Sequence, residues 1–335
     1  MPIGTQTDEN FLLQGPVRSL ARDAHWDARL ADCGTVGMDR KEELGLVRRA
    51  YAKEIMATAG IPDTRVETAF AEVRREDFLD PGPWLVIGER SDYVPTPSAD
   101  PAFLYLDHVV AILPHRHLNN GQPSLHAKLL AHAGLREGGH VVHVGAGTGY
   151  YTAIMAHLAG LSGWVTAIEL DPELAARARV NLSPYPNVRV ICGNGALVPF
   201  DAADVIYVNA GATRPTDVWL DGLSEGGRLI LPLTTNRGFT RNDPAWRSER
   251  RGAVFRIERR RLSEFRARWI SAVAIFPCEG ARDPLSEEAL AEAFAKGGWQ
   301  QVTGLCRSND VPEDRCWLRA PGWCLTHDSP SSGRT

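Results

Sequence analysis

Val141-Val-His-Val-Gly-Ala-Gly-Thr-Gly-Tyr-Tyr151 joins an apolar strand to a helical stretch through Gly145, Gly147 and Gly149. Glycines at such a turn let the backbone come close to a ligand, and the following helix offers free N–H groups at its start. The spacing is G-x-G-x-G. A dinucleotide fingerprint needs its last glycine at position 150, where this chain has Tyr150, and no G-K-[ST] follows to make a phosphate-binding P-loop. The turn is read as a nucleoside-binding connection of another kind.

The residues downstream agree with it. Trp164–Leu170 reads as a second buried strand, and its Glu169 stands where an acid accepts hydrogen bonds from two ribose hydroxyls. Asp171-Pro172-Glu173 is a helix start, with an N-cap acceptor, a proline at the first helical position and an acid in the first turn. Val188–Cys192 is a third strand, followed by Gly193-Asn194-Gly195, where Asn194 can meet an adenine edge. Val205–Val208 and Arg228–Leu231 make a fourth and fifth. Strands alternating with helical patterns predict an α/β fold: a doubly wound, mostly parallel, Rossmann-like sheet with its ligand at the carboxyl ends of the strands. Glu169 alone suits a solvated strand end, and Asn194 alone suits a turn. Their order and spacing carry the reading.

On these residues the chain is similar to class I S-adenosylmethionine-dependent methyltransferases, and specifically resembles the protein-L-isoaspartate O-methyltransferase family. The resemblance extends over roughly residues 40–278. Upstream it rests on Leu46-Val-Arg-Arg49, Gly60-Ile-Pro-Asp63, Val66–Phe70, Val73-Arg-Arg-Glu-Asp-Phe78 and Gly121-Gln122-Pro123; downstream, on Asn209-Ala-Gly-Ala212, Gly226–Pro232 and Arg256-Ile-Glu258. It implies S-adenosyl-L-methionine as cofactor, held by His143, Gly145, Gly147, Gly149, Glu169 and Asn194. It also implies methyl transfer to a carboxylate of a peptide, protein or small acid, with Asn119, Asn120, Gln122 and Ser124 holding the acceptor and Asn209 facing the methyl donor. A carboxylate is ionised at neutral pH, so no catalytic base is needed.

The chain departs from the family pattern at three points. Gly121 replaces the serine of the Ser-Gln-Pro element, His143 the acid before the glycine turn, and Asn194 the aspartate of a Gly-Asp-Gly. The missing serine hydroxyl predicts weak repair of ordinary isoaspartyl peptides. Two other functions stay open. Base N-methylation of nucleic acid usually sets [DN]-P-P-[YFW] after the fourth strand, where this chain has Asn209-Ala-Gly-Ala212. A cofactor-binding interaction module without turnover is the other.

The 335 residues, 44% apolar and 23% charged with a formal charge of −4, describe an ordinary globular chain without the basic excess of a nucleic-acid binder. No apolar run approaches a membrane span, and Met1–Glu9 lacks a signal pattern, so a cytoplasmic protein is expected. Six scattered cysteines without C-x-x-C fit reduced thiols better than bridges. Eight of ten histidines fall between His108 and His157, without H-E-x-x-H spacing, so no metal is expected.

Residues 1–38 read as an irregular arm and 39–120 as a helical region with a proline-rich connector. The methyltransferase core is 121–280, a C-terminal extension 281–325, and a disordered tail 326–335. A helix is expected over Arg40–Thr58, and another over Leu285–Lys296. Eleven arginines against four acids in Arg237–Arg268 read as a solvated loop and an exposed strand face rather than a nucleic-acid strip.

Overall fold

In the computed structural model the described residues are 39–87, 93–116, 118–236, 252–261, 263–308 and 310–327. The expected arm, the tail beyond His327, and residues 237–251 of the arginine-rich stretch lie outside them. Helices α1 (Arg40–Ala59) and α2 (Thr64–Glu72) come first, then two short antiparallel strand pairs, β1 (Leu85–Ile87) with β2 (Tyr93–Pro95) and β3 (Ala111–Leu113) with β4 (Leu118–Asn119). The alternating part follows: α3 (Pro123–Ala133), β5 (His140–Val144), α4 (Tyr150–Ala159), β6 (Trp164–Glu169), α5 (Pro172–Asn181), β7 (Val188–Cys192) and β8 (Ala203–Val208). The chain continues through α6 (Asp217–Asp221), β9 (Leu223–Thr234), β10 (Gly252–Arg261), β11 (Glu264–Ala272), α7 (Pro284–Lys296), β12 (Gly304–Cys306), β13 (Cys316–Ala320) and β14 (Trp323–Thr326).

One ten-stranded sheet runs β7-β6-β5-β8-β9-β10-β11-β12-β14-β13. Strands β7 to β9 pair in parallel, as expected of a doubly wound α/β core. From β9 onward every pairing is antiparallel, and β12, β13 and β14 extend the same sheet. Residues 281–327 therefore share the sheet and core of the parallel strands.

Alternate side chains of the parallel strands enter two separate cores, as the two-residue period of a strand requires. Val141, Val165, Val205 and Tyr207 pack under α1 to α4; Val142, Ile168, Ile206 and Val208 pack on the other face with Trp219, Leu290 and Phe294. Burial on both faces explains why these strands read as unbroken apolar runs. Strand β9 begins five residues before the expected Arg228, passing through Gly226 at φ 76° opposite a register shift at Ala203/Val205. A glycine there forms a bulge within the strand, where the sequence suggests a turn before it.

Two histidines tie helices to the sheet. His126 of α3 bonds through Nδ1 to the Tyr207 hydroxyl (2.7 Å) and stacks on Tyr151, ring centroids 3.7 Å apart. His143 of β5 bonds through Nδ1 to Thr152 Oγ1 of α4 (2.8 Å). Burial lowers both to a pKa of about 3, with the charges of His143 and Arg75 adding to the effect at His126. The folded values lie below the unfolded value, so the stability gained from neutral imidazoles is complete above about pH 6.5 and lost as pH falls toward 3. Between pH 6 and 4 the unfolding free energy should fall more steeply in the wild type than in His143→Gln, by up to about 1.4 kcal/mol per pH unit. Urea denaturation across that range measures it, and equal slopes would contradict a neutral, buried His143.

Candidate active site

The strand order reverses between β5 and β8, since the chain steps outward from β5 to β7 and then returns to the other side. Ligands of open α/β sheets occupy the crevice at the carboxyl ends of the strands at such a switch point. Here it is a cavity of about 380 Å³, within the range of small-molecule sites. Its floor is the turn after β5, the end of β6, Gly195 and Asn209; Ile112, Leu118 and Asn119 of the β3–β4 pair and residues 276–279 complete the wall.

Gly145, Gly147 and Gly149 hold φ values of 80°, 57° and 100°, a left-handed region where side chains are strained. A Cβ at Gly145 would stand 3.3 Å from the Asn209 carbonyl, and one at Gly149 2.8 Å from Leu182 Cδ1. At Gly147 the nearest atom is Ile112 Cδ1 at 3.5 Å. Packing and backbone both demand glycine at the outer positions. The middle one is fixed by backbone and leaves clearance beside Ile112.

Glu169, 8% exposed, accepts the Gly147 N–H at 2.7 Å through Oε2 and the Asp171 N–H at 3.0 Å through Oε1. Burial raises its carboxyl above the ordinary range, and the two backbone N–H groups partly offset this. Each oxygen keeps a second lone pair. Two residues on, Asp171 caps α5 by accepting from Glu173 N and Leu174 N, while its other oxygen pairs with Arg116.

The residues expected to hold the acceptor divide. Asn119, Asn120 and Asn209 line the cavity with the glycine turn. Asn209 donates to the Gly145 carbonyl at 3.3 Å. Asn119 accepts from Gly121 N and donates to the Tyr93 hydroxyl. Gln122 and Ser124 turn instead to Asp107, which accepts the Gln122 amide (2.9 Å), the Ser124 N–H (2.8 Å) and the Ser124 hydroxyl (2.6 Å). Neither lines the cavity.

Two of the expected cofactor residues also lie off its wall. His143 is bonded to Thr152 behind the turn. Asn194 accepts from Ala196 N and packs at Gly280, where a Cβ would fall 2.1 Å from its Nδ2, so Gly195 presents the wall. A side chain within two residues of its own backbone donor is easily captured by the turn.

Three features escape sequence reasoning. Asp107 belongs to no motif. Arg116, between two histidines, gives no sign of its partner Asp171. Residues 276–279 arrive from far along the chain, with Gly211 N donating to Phe276 O (2.7 Å) and Cys278 N to Gly211 O (2.9 Å). Cys278 is buried and its thiol is pushed up to about 12, so it stays protonated at neutral pH. Among the described residues no three His, Cys, Asp or Glu side chains gather as a metal site.

A sequence model of the protein-L-isoaspartate(D-aspartate) O-methyltransferase family matches residues 51–257. A protein-L-isoaspartate O-methyltransferase of Thermotoga maritima is 30% identical over 198 residues, 57% of this chain and 56% of that relative, so the chain spans little more than half of its length. A solved protein-L-isoaspartate O-methyltransferase is 26% identical with a TM-score of 0.55, covering 70% of this chain and 66% of the other. A Plasmodium falciparum structure in complex with S-adenosyl-L-homocysteine shares the fold, at 19% identity and a TM-score of 0.53, covering 69% of this chain and 98% of the other. With a family match across more than half of its residues, the chain belongs to the protein-L-isoaspartate(D-aspartate) O-methyltransferase family.

Proposed function

We propose that this chain transfers a methyl group from S-adenosyl-L-methionine to a carboxylate oxygen of a peptide or protein. The observation that carries the reading is Glu169, fixed by two backbone N–H groups at the mouth of a glycine turn and still holding lone pairs for a pair of hydroxyls. The open side of Gly147 and the volume of the cavity suit a nucleoside, and the Plasmodium falciparum relative was solved with S-adenosyl-L-homocysteine. When bound, the sulfonium supplies an electrophilic methyl carbon.

The chain's own residues have three tasks. Glu169, with Gly145 to Gly149, binds the nucleoside. Asn119, Asn120 and Asn209 orient the acceptor, and orientation can lower the barrier by several kcal/mol. Residues 276–279 and the β3–β4 pair complete the wall that shields the acceptor. With the cofactor bound, these residues would hold one acceptor oxygen in line with the methyl carbon, and transfer would leave the carbon–sulfur electron pair on sulfur. No proton moves if the acceptor is a carboxylate, which suits a cavity whose thiol is protonated and whose Glu169 is already engaged. The five described cysteines are unpaired, which fits a cytoplasmic setting. No described helix is long and apolar enough to cross a membrane.

Methyl-labelled S-adenosyl-L-methionine, offered with peptides, intact proteins, small carboxylic acids and RNA in separate incubations, tests the reading. Base-labile label released as methanol from the peptide or protein arm is expected. Stable label on RNA, or none anywhere, would overturn it.

Gly121 stands where relatives of the resembled pattern carry serine, and its geometry explains why the hydroxyl is not simply missing. Its φ is 75°, and a Cβ would lie 2.4 Å from His126 Nε2. Gly121→Ser should therefore lower stability by about 1–3 kcal/mol, with no gain in transfer to an isoaspartyl peptide. Thermal denaturation run beside a methyl-transfer assay decides it; a stable variant with raised activity would show that serine fits.

A further inference from the structure

Arg75 is fully buried, and no carboxylate of the described residues pairs with it. Its Nη1 donates to the carbonyls of Leu104 (2.8 Å) and Leu106 (3.2 Å), and its Nη2 to the His108 carbonyl (2.6 Å) and to Asn120 Oδ1 (3.2 Å). The guanidinium carbon lies 5.8 Å from the centroid of the Tyr150 ring. A buried cation held only by neutral groups is a costly arrangement, and it favours the arrival of an anion nearby.

Asn120 Oδ1 receives a second N–H, from Val110 at 3.0 Å. Two donors meeting on one atom require that atom to be the oxygen, so the other end of the amide is the NH2 group. That Nδ2 is buried and has no partner, although Asn120 is only 9% exposed and lines the cavity. Its neighbour Asn119 uses both ends of its amide within the fold. Of the two adjacent asparagines, Asn120 has the buried amide nitrogen that the fold leaves without any partner.

We infer that Arg75 and the Val110 N–H lock the Asn120 amide so that Nδ2 donates to one oxygen of the acceptor carboxylate. Arg75 is a positioning residue acting through Asn120, and its charge lies behind the amide on the side away from the acceptor. A donor on one carboxylate oxygen turns the group and leaves the second oxygen to attack the methyl carbon. The inference rests on the carboxylate reading above and names the residue that selects for a carboxylate at that site.

The test uses the full chain with an isoaspartyl hexapeptide and methyl-labelled S-adenosyl-L-methionine, comparing wild type, Asn120→Asp and Arg75→Lys. Asn120→Asp keeps the shape, replaces the donor with an acceptor, and gains an ion pair with Arg75 that supports folding. It should raise the peptide KM at least tenfold. Affinity for S-adenosyl-L-homocysteine, measured by calorimetry, should change less than twofold, and Tm should not fall. Arg75→Lys, which keeps charge but not the fork of donors, should show an intermediate KM with the same cofactor affinity. A wild-type peptide KM in Asn120→Asp, or a parallel loss of cofactor affinity and Tm, would overturn the inference while leaving the carboxylate reading intact. A wild type that methylates no carboxylate at all would overturn both.

Discussion

The backbone N–H groups of Gly147 and Asp171 both point at Glu169, and that convergence fixes the candidate site. One carboxylate ties the turn after β5 to the end of β6, holding two strand ends in a relation that parallel pairing alone leaves loose. The turn gains further anchors in Gly145 N and Ala146 N, which donate to the Ile168 carbonyl. On this platform Asn209 approaches closely enough to donate to Gly145 O, and glycine becomes obligatory at position 145. Burial works against the charge on Glu169 and the two N–H groups work for it, so a partner that brings hydroxyl donors would complete its solvation.

The sheet supports this platform from behind. Tyr207, His126 and Tyr151 form a buried polar contact beneath the turn, and His143 with Thr152 joins β5 to the first turns of α4. These buried polar groups are hydrogen-bonded within the fold, with His143 Nε2 left unpaired. On the other face Trp219 of α6 donates its indole N–H to Gly195 O at 2.8 Å, so a core residue also positions a piece of the cavity wall. Arg75 does the same for residues 104–108 and for Asn120. In each case a buried side chain with several donors, or one long ring, sets the place of a loop that has little regular structure of its own.

What the sequence makes legible follows from period and local chemistry. Strands β5, β6 and β7 are apolar runs bounded by glycine or capping residues, and their limits are readable to within a residue. Asp171 and Pro172 announce α5 by the same local rules, and the cap is present. The glycine spacing and Glu169 place the cavity because they lie on consecutive strand ends. Long-range pairings leave no such trace. Asp107 claims Gln122 and Ser124 across 15 and 17 residues. Arg116 meets Asp171 across 55. Residues 276–279 close the cavity because Gly211 pairs with Pro277. The strands of the C-terminal part are three to five residues long and gain their place through β12, which pairs with β11 and carries β14 and then β13 beyond it, an order that no internal pattern foretells.

We propose that the cavity at the β5–β8 switch point is a nucleoside site organised by the Glu169 carboxylate. Calorimetric titration of S-adenosyl-L-homocysteine into the wild type and into Glu169→Ala tests it most directly. Saturable one-to-one binding by the wild type is expected, weakened in the folded variant by about 1.5–3 kcal/mol through loss of a charged acceptor. An unchanged dissociation constant in Glu169→Ala, or no binding by the wild type, would contradict it.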